Sequence, residues 1–389
     1  MPAPVSDFKT TGARSEPDPN ATPSGGDPVA LQRASRGQEK QQARSRWDGV
    51  PLAIRLRHLK KVFVAHPRAA AVIAAINQRK TIRQAGGHPR GFMVIAPPGG
   101  GKTRLIEFLS DLCPPQIVQE LLDPLDEDSM ADRTFHEMVK FTIPNPCKAA
   151  AVANSILAGL QHPDCRGIDF AKQATLVKKQ LILAETNILL VDNVQAIPEL
   201  RGPKGTSSIG RLFVELIDEC NLVVIFLGTE LAEIVISAND QLRKRVPATL
   251  SLGGYDVSTR EGLASAMRLL DMLDDEMPLS EKSGLGAGQL GRGLACAADG
   301  KVGSMVDLIT ASLLYTCADG RECLTLEDAR AGYKSHFLDY SSTIDPFADG
   351  FIPRRLILPG EPHFTAIDDR RGGSSRGKKD AASPTASRA

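Results

Sequence analysis

Five short runs with the apolar-rich patterns of β-strands, separated by stretches of helical period, organise the chain between about residues 90 and 252. The runs are Phe92–Ala96, His136–Ile143, Ile188–Asp192, Leu222–Gly228 and Ala248–Leu252. Ile188-Leu-Leu-Val191 and Leu222-Val-Val-Ile-Phe-Leu227 are apolar at every position, the pattern of strands covered on both faces. Strands that alternate with helices predict a parallel, doubly wound α/β sheet. From Ser258 to about Phe337 the strand pattern disappears. Leu263/Met267/Leu270 and Val302/Met305/Val306/Ile309/Leu313 recur at helical spacing there, which predicts a small helical domain with that stripe as its core.

The ends read differently. Residues 1–46 are rich in Pro, Ser, Gly, Ala and charge and offer too little apolar surface to offset the entropy of ordering, so disorder is expected. The tail from about Asp368 has the same texture, and its Arg370-Arg371 and Arg376-Gly-Lys378-Lys379 read as solvated charge. The expected organisation is a disordered segment 1–46, an α/β domain with N-terminal helices at 47–254, a helical domain at 255–340 and an extended, largely disordered tail at 341–389.

Composition narrows the partners. The 389 residues carry 47 Lys plus Arg against 46 Asp plus Glu, so any DNA contact needs a local basic surface or several subunits together. The seven cysteines form no CxxC pair, and reduced thiols in the cytosol are the simplest reading. The longest apolar run is too short to span a bilayer and the N-terminus has no apolar leader region, so a cytoplasmic protein without a membrane partner is expected.

The strongest chemical signal is Ala96-Pro97-Pro98-Gly99-Gly100-Gly101-Lys102-Thr103-Arg104, between a predicted strand and an amphipathic helix carrying Leu105, Ile106 and Leu109. Glycines let the backbone N–H groups converge on phosphate oxygens, Lys102 reaches the β- and γ-phosphates of ATP, and the Thr103 hydroxyl can ligate Mg²⁺. Asp192 ends a buried strand at the sheet edge where ligands bind and is the expected second contributor to Mg²⁺. Asn193 follows it, where most ATPases of this class place a glutamate. An amide can orient water but cannot take its proton, so binding is favoured over turnover. Thr229, after the strand ending at Gly228, has two compatible roles: sensing the γ-phosphate or its attacking water, and capping the helix that starts near Glu230. Gln241-Leu-Arg243-Lys-Arg245 is a basic helix end by sequence alone. In ring-forming ATPases an arginine at this point reaches a neighbour's γ-phosphate.

Taken in order, these residues resemble the TniB family of transposition ATPases, relatives of TnsC and MuB, from about Arg57 to Tyr333. Val64-Ala-His-Pro67-Arg68-Ala69 is similar to the family's YPRA segment, Val224-Ile-Phe-Leu-Gly228-Thr229 to its VGT strand, and Leu242-Arg-Lys-Arg245-Val246 to its L-x-x-R-F box. Leu252-Gly-Gly-Tyr255 resembles LPRW, Met277–Leu285 resembles LPL-x-x-x-S-x-L, and Asp299-Gly-Lys-Val-Gly303 resembles the SEGxxG that opens a lid helix. The resemblance implies an AAA+ module with a five-stranded parallel sheet and a helical lid. It makes Arg245 the arginine that reads a neighbour's nucleotide, with Arg243 as the alternative.

Three positions depart from the family. Asn193-Val-Gln195 replaces Glu-x-His, Ala96 replaces a glycine, and the lid helix offers Met305 and Asp307 but no arginine. The activity implied is ATP-dependent assembly on double-stranded DNA, as a ring or filament, with recruitment of a DDE transposase. A motor or loader with continuous turnover and a nucleotide-gated protein adaptor are the other two readings. Arg201 and Lys204 are DNA-contact candidates in a Gly/Pro-rich loop that also reads as plain solvent-facing chain.

Overall fold

The computed structural model describes residues 44–364 apart from positions 89, 124–125, 164, 166, 199–206 and 339–343. Arg201, Lys204, nearly all of the 1–46 segment and the chain beyond Phe364 lie outside the described residues. In chain order come α1 (Leu52–Lys61), α2 (Pro67–Gln84), β1 (Phe92–Ile95), α3 (Lys102–Leu112), β2 (Gln116–Asp123), β3 (Asp126–Phe135) and β4 (Met138–Thr142). Next are α4 (Ala149–Gly159), α5 (Phe170–Leu183), β5 (Ile188–Asp192), α6 (Ser207–Cys220), β6 (Val223–Gly228), α7 (Glu233–Ser237), α8 (Asp240–Arg245) and β7 (Ala248–Ser251). The helical part holds α9 (Arg260–Asp275), α10 (Gly288–Ala297), α11 (Val302–Ala318) and α12 (Leu326–His336).

The main sheet has five strands in the order β4-β5-β6-β1-β7, and every pairing in it is parallel. Side chains alternate between its faces. Leu189, Val191, Val224 and Phe226 pack with α4, α5 and α6 through Ile156, Val177 and Phe213. Ile188, Leu190, Val223 and Ile225 pack the other way, onto α2 and α3 through Val72, Ile76, Leu105 and Leu109. Central strand β6 is buried at every residue, whereas edge strands β4 and β7 alternate, as two-sided cover of the middle of a sheet requires. The five expected runs are the five strands.

Three features differ from expectation. β2 and β3 form an antiparallel hairpin between α3 and β4. Its second strand, Asp-Glu-Asp-Ser-Met-Ala-Asp-Arg-Thr-Phe, has no apolar alternation by which to announce itself. Helix α1, assigned by sequence to the α/β domain, packs in the helical domain instead. Leu59 joins that core with Leu52 and Leu56 against it, and Arg55 donates to Glu322 at 2.8 and 2.6 Å. The tail expected from residue 341 begins as packed chain: Phe347 and Leu356 are fully buried, and residues 344–364 lie along the helical domain without helix or strand. The chain thus crosses between its two parts twice, at 62–66 and at 252–255.

Candidate nucleotide site

β1 delivers the chain to the C-terminal edge of the sheet at Ala96, whose N–H donates to the Gly228 carbonyl of β6 at 2.9 Å. Residues 97–101 then curl onto the start of α3. Gly99 and Gly101 sit at φ +75° and +87°, which side chains disfavour. A Cβ added at Gly100 would lie 3.0 Å from Ala96 Cβ, Pro97 O and Leu252 O. The result is a backbone-walled cradle of the kind that receives phosphate oxygens. The Ala96 methyl is buried in the core beneath it.

Lys102 begins α3, and its Nζ donates to the Ala96 carbonyl at 2.6 Å, across the mouth of the loop. Burial lowers the Lys102 pKa, opposed by the nearby charge of Asp192, so the strand-end carboxylate and the loop lysine are electrostatic neighbours. Asp192 accepts the Asn193 N–H at 2.8 Å. Thr103 is exposed on the first turn of α3. Arg104, grouped by sequence with the phosphate contacts, points elsewhere. Its guanidinium donates to the Lys61 carbonyl and, at 3.4 Å, to Val62 O, and it pairs with Glu107, tying α3 to the incoming crossover.

Asn193 lies in the left-handed region at φ +61°, a conformation that asparagine tolerates better than most residues. Gln195 bridges the ends of β5 and β6: Nε2 donates to Asn193 Oδ1 at 2.5 Å and Oε1 accepts the Thr229 N–H at 3.2 Å. Thr229 precedes the short helical turn Glu230–Ala232, and its side chain makes no capping hydrogen bond there.

The lid meets the loop through backbone. Gly303, in the first turn of α11, donates its N–H to the Gly99 carbonyl at 2.7 Å, and a Cβ at Gly303 would stand 2.6 Å from that oxygen. Only glycine permits this approach. Met305 is buried in the lid core, and Asp307 faces a cavity of ≈ 190 Å³ beside Gly100 and Gly101. Val62, Phe63, Val64, Leu252, Val302 and Val306 give that cavity mostly apolar walls.

The two crossovers that flank the cavity are clamped together. Arg68 donates to the carbonyls of Gly253 and, at 2.9 Å, Gly254, and lies 4.5 Å from the Tyr255 ring centre. The Tyr255 hydroxyl lies 3.4 Å from His66 Nδ1. Burial, aided by the charge of Arg68, pushes His66 down to about 4.

Arg245 stands apart from this cluster. Its Nε donates to Asp218 at 2.6 Å, Nη2 reaches the other Asp218 oxygen, and Nη1 donates to Gln241 O at 2.9 Å. Arg243 is exposed and pairs with Asp240 at 2.8 Å. The structure therefore brings the loop, Lys102, Asp192, Asn193 and Thr229 to one sheet edge and leaves the two arginines on an outer surface. Sequence reasoning missed the Gln195 bridge, the Gly303 contact and the cavity. Gln195 and Gly303 stood inside recognised motifs, but nothing in their spacing encoded these contacts.

Among the described residues no helix is long and apolar enough to cross a membrane, and no group of three or more His, Cys, Asp or Glu is placed to hold a metal ion. No curated protein matches the chain in sequence. Similar solved structures include the ORC2 protein of Aeropyrum pernix in ADPNP–ADP complexes, at 13% identity and TM-score 0.48, covering 72% of this chain and 71% of that one. Cdc6p of Pyrobaculum aerophilum is similar at 16% identity and TM-score 0.46, covering 69% and 67%. The Aeropyrum pernix ORC1 protein in complex with DNA follows at 14% and 0.44, covering 72% and 68%. Residues 85–235 match the family profile described as AAA domain. With this strand order and this loop, the chain contains an AAA+ P-loop module.

Proposed function

We propose that the chain is an ATP-dependent, DNA-binding switch of transposition. The nucleotide is held by the Ala96–Thr103 loop with Lys102 on its phosphates, and its base enters the apolar cavity beside Gly100. Mg²⁺, when bound with the nucleotide, would be held by the Thr103 hydroxyl and, through its water shell, by Asp192. Bound ATP supplies a γ-phosphate whose presence or loss distinguishes two states of the protein. Copies then assemble on double-stranded DNA as a ring or filament, Arg245 exchanges Asp218 for a neighbour's nucleotide, and the assembly recruits a DDE transposase.

The observation that carries the reading is the junction of cradle, apolar cavity and lid at one point, with Gly303 of the lid bonded to Gly99 of the loop. Nucleotide there touches both parts of the chain, as a switch requires. Asn193 favours a switch over a motor, because the position beside Asp192 has no base. The DNA and transposase partners rest on the ordered family motifs in the sequence. Assembly on a long duplex should need ATP and tolerate a non-hydrolysable analogue; equal binding without nucleotide overturns the proposal.

A nucleotide-gated protein adaptor is the second reading. The near-neutral charge and the acid-rich Gln116–Phe135 hairpin favour it. Binding to duplex that falls steeply and linearly in log–log with salt excludes it.

A further inference from the structure

Asp299 opens the turn that leads into α11 and is 2% exposed. Two cations share it. Arg355, from the C-terminal packed segment, donates from Nε at 2.7 Å and from Nη2 at 2.8 Å, and Lys301 Nζ lies 3.0 Å from Oδ2. Burial alone would raise the Asp299 carboxyl; the Arg355 hydrogen bonds and the Lys301 charge outweigh it and hold the group below its ordinary value. Arg355 alone covers both Asp299 oxygens, so the carboxylate stays paired if Lys301 moves away.

Lys301 has a stem that leads toward the phosphate loop. A Cβ at Gly254, in the crossover, would lie 2.9 Å from Lys301 Cγ, and one at Gly99 would lie 3.9 Å from Lys301 Cδ. Its ammonium, two bonds beyond Cδ, has the loop within its swing. Two residues on, Gly303 fixes the turn to the loop by its bond to Gly99. The same turn is bonded to the crossover, where Tyr255 N–H donates to Gly300 O at 3.0 Å.

We propose that Lys301 is the lid cation that reads the terminal phosphate, and that Arg355 is the positioning residue that lets it leave Asp299. When a polyphosphate occupies the loop, Lys301 exchanges Asp299 for phosphate oxygen. Arg355 keeps the buried carboxylate paired, so the exchange does not strand a charge. Residues 344–364 thereby become part of the nucleotide switch. This rests on the nucleotide reading above.

The test uses the full chain with Mg²⁺ and two fluorescent probes, mant-ATPγS and mant-ADP, and reads the ratio of their affinities. That ratio is insensitive to the fraction of folded protein. Lys301→Met should lower it by about tenfold, the usual size of a charge-assisted contact, with mant-ADP affinity little changed. Arg355→Gln should lower it similarly, because Asp299 then retains Lys301. The double variant Asp299→Asn/Arg355→Gln should restore it, since no carboxylate remains to hold the lysine. A wild-type ratio in Lys301→Met, or a double variant as poor as Arg355→Gln, overturns the inference while leaving nucleotide binding intact. A wild-type chain that binds neither probe overturns the nucleotide reading itself.

Discussion

Gln195 Nε2 donates to Asn193 Oδ1 at 2.5 Å, fixing the amide beside Asp192. The other end of Gln195 accepts the Thr229 N–H, so the ends of β5 and β6 are joined where a nucleotide's terminal phosphate is expected. An amide held this way supplies no general base, which is why the proposed switch is expected to hold nucleotide longer than it consumes it.

Asn193→Glu tests that account. General-base assistance contributes about 10²–10⁴-fold where geometry allows, so the variant should raise phosphate release at least about tenfold over a slow wild type. The residue sits at φ +61°, and replacing asparagine there should cost about 1 kcal/mol in stability, read from a denaturant melt. Asn193→Ala should leave the slow rate nearly unchanged. Fast wild-type turnover abolished by Asn193→Ala would contradict the assignment.

Most of the α/β part was legible in sequence because its central strands are almost wholly apolar and its loop has a fixed spacing. Ile188–Val191 and Leu222–Leu227 admit little besides buried strands, and Gly99-Gly-Gly-Lys102-Thr103 after a strand admits little besides a phosphate loop. The hairpin Gln116–Phe135 escaped because its second strand carries no period. The packing of α1 onto the helical part was not legible because Leu52, Leu56 and Leu59 mark a buried face without naming what buries it. The packing of residues 344–364 uses a few scattered apolar residues, Phe347, Phe351 and Leu356 among them, and ion pairs to distant positions, and such pairings leave no local pattern. The side-chain contacts of Arg104 with Lys61, Val62 and Glu107 were not legible either, since adjacency to Lys102 says nothing of where a helix turns the next side chain.

His66 predicts an acid sensitivity. Its pKa is about 4 in the folded chain against an ordinary 6.5, so the unfolded state binds more protons between those values. Stability present above pH 6.5 is lost as pH falls toward 4, by about 2 kcal/mol between pH 7 and pH 5. Urea midpoints across that range should fall for the wild type and fall less for His66→Phe. Parallel profiles would remove His66 from the account.

The Arg245–Asp218 pair is partly exposed, and such pairs contribute at most about 1 kcal/mol to stability. Arg245→Ala should leave nucleotide affinity of the isolated chain unchanged yet weaken assembly with ATPγS by about tenfold or more. Asp218→Asn, which releases the arginine, should assemble as well as wild type or better. Sedimentation reads both, and equal defects in the two variants would reduce the pair to a structural contact.

Arg68 fastens the crossovers by two carbonyls and one ring face. Arg68→Ala should speed hydrogen exchange at residues 252–256 and weaken mant-ATPγS binding by about three- to tenfold, an indirect effect of loosening the crossovers beside the cavity. Arg68→Lys should rescue only in part: one nitrogen, Nη1, makes both carbonyl bonds and an ammonium can replace it, but an ammonium lacks the planar face that stacks on Tyr255. Full rescue by lysine would mean that charge alone matters there.

The most direct measurement of the central claim is binding to a long duplex with ATP, ATPγS, ADP or no nucleotide, scored by light scattering alongside phosphate release, in wild type and Lys102→Ala. The account predicts assemblies with ATP and ATPγS, little phosphate released, and none with ADP, without nucleotide or in Lys102→Ala. Assemblies that form equally in every condition, or rapid phosphate release without stable assemblies, would contradict it.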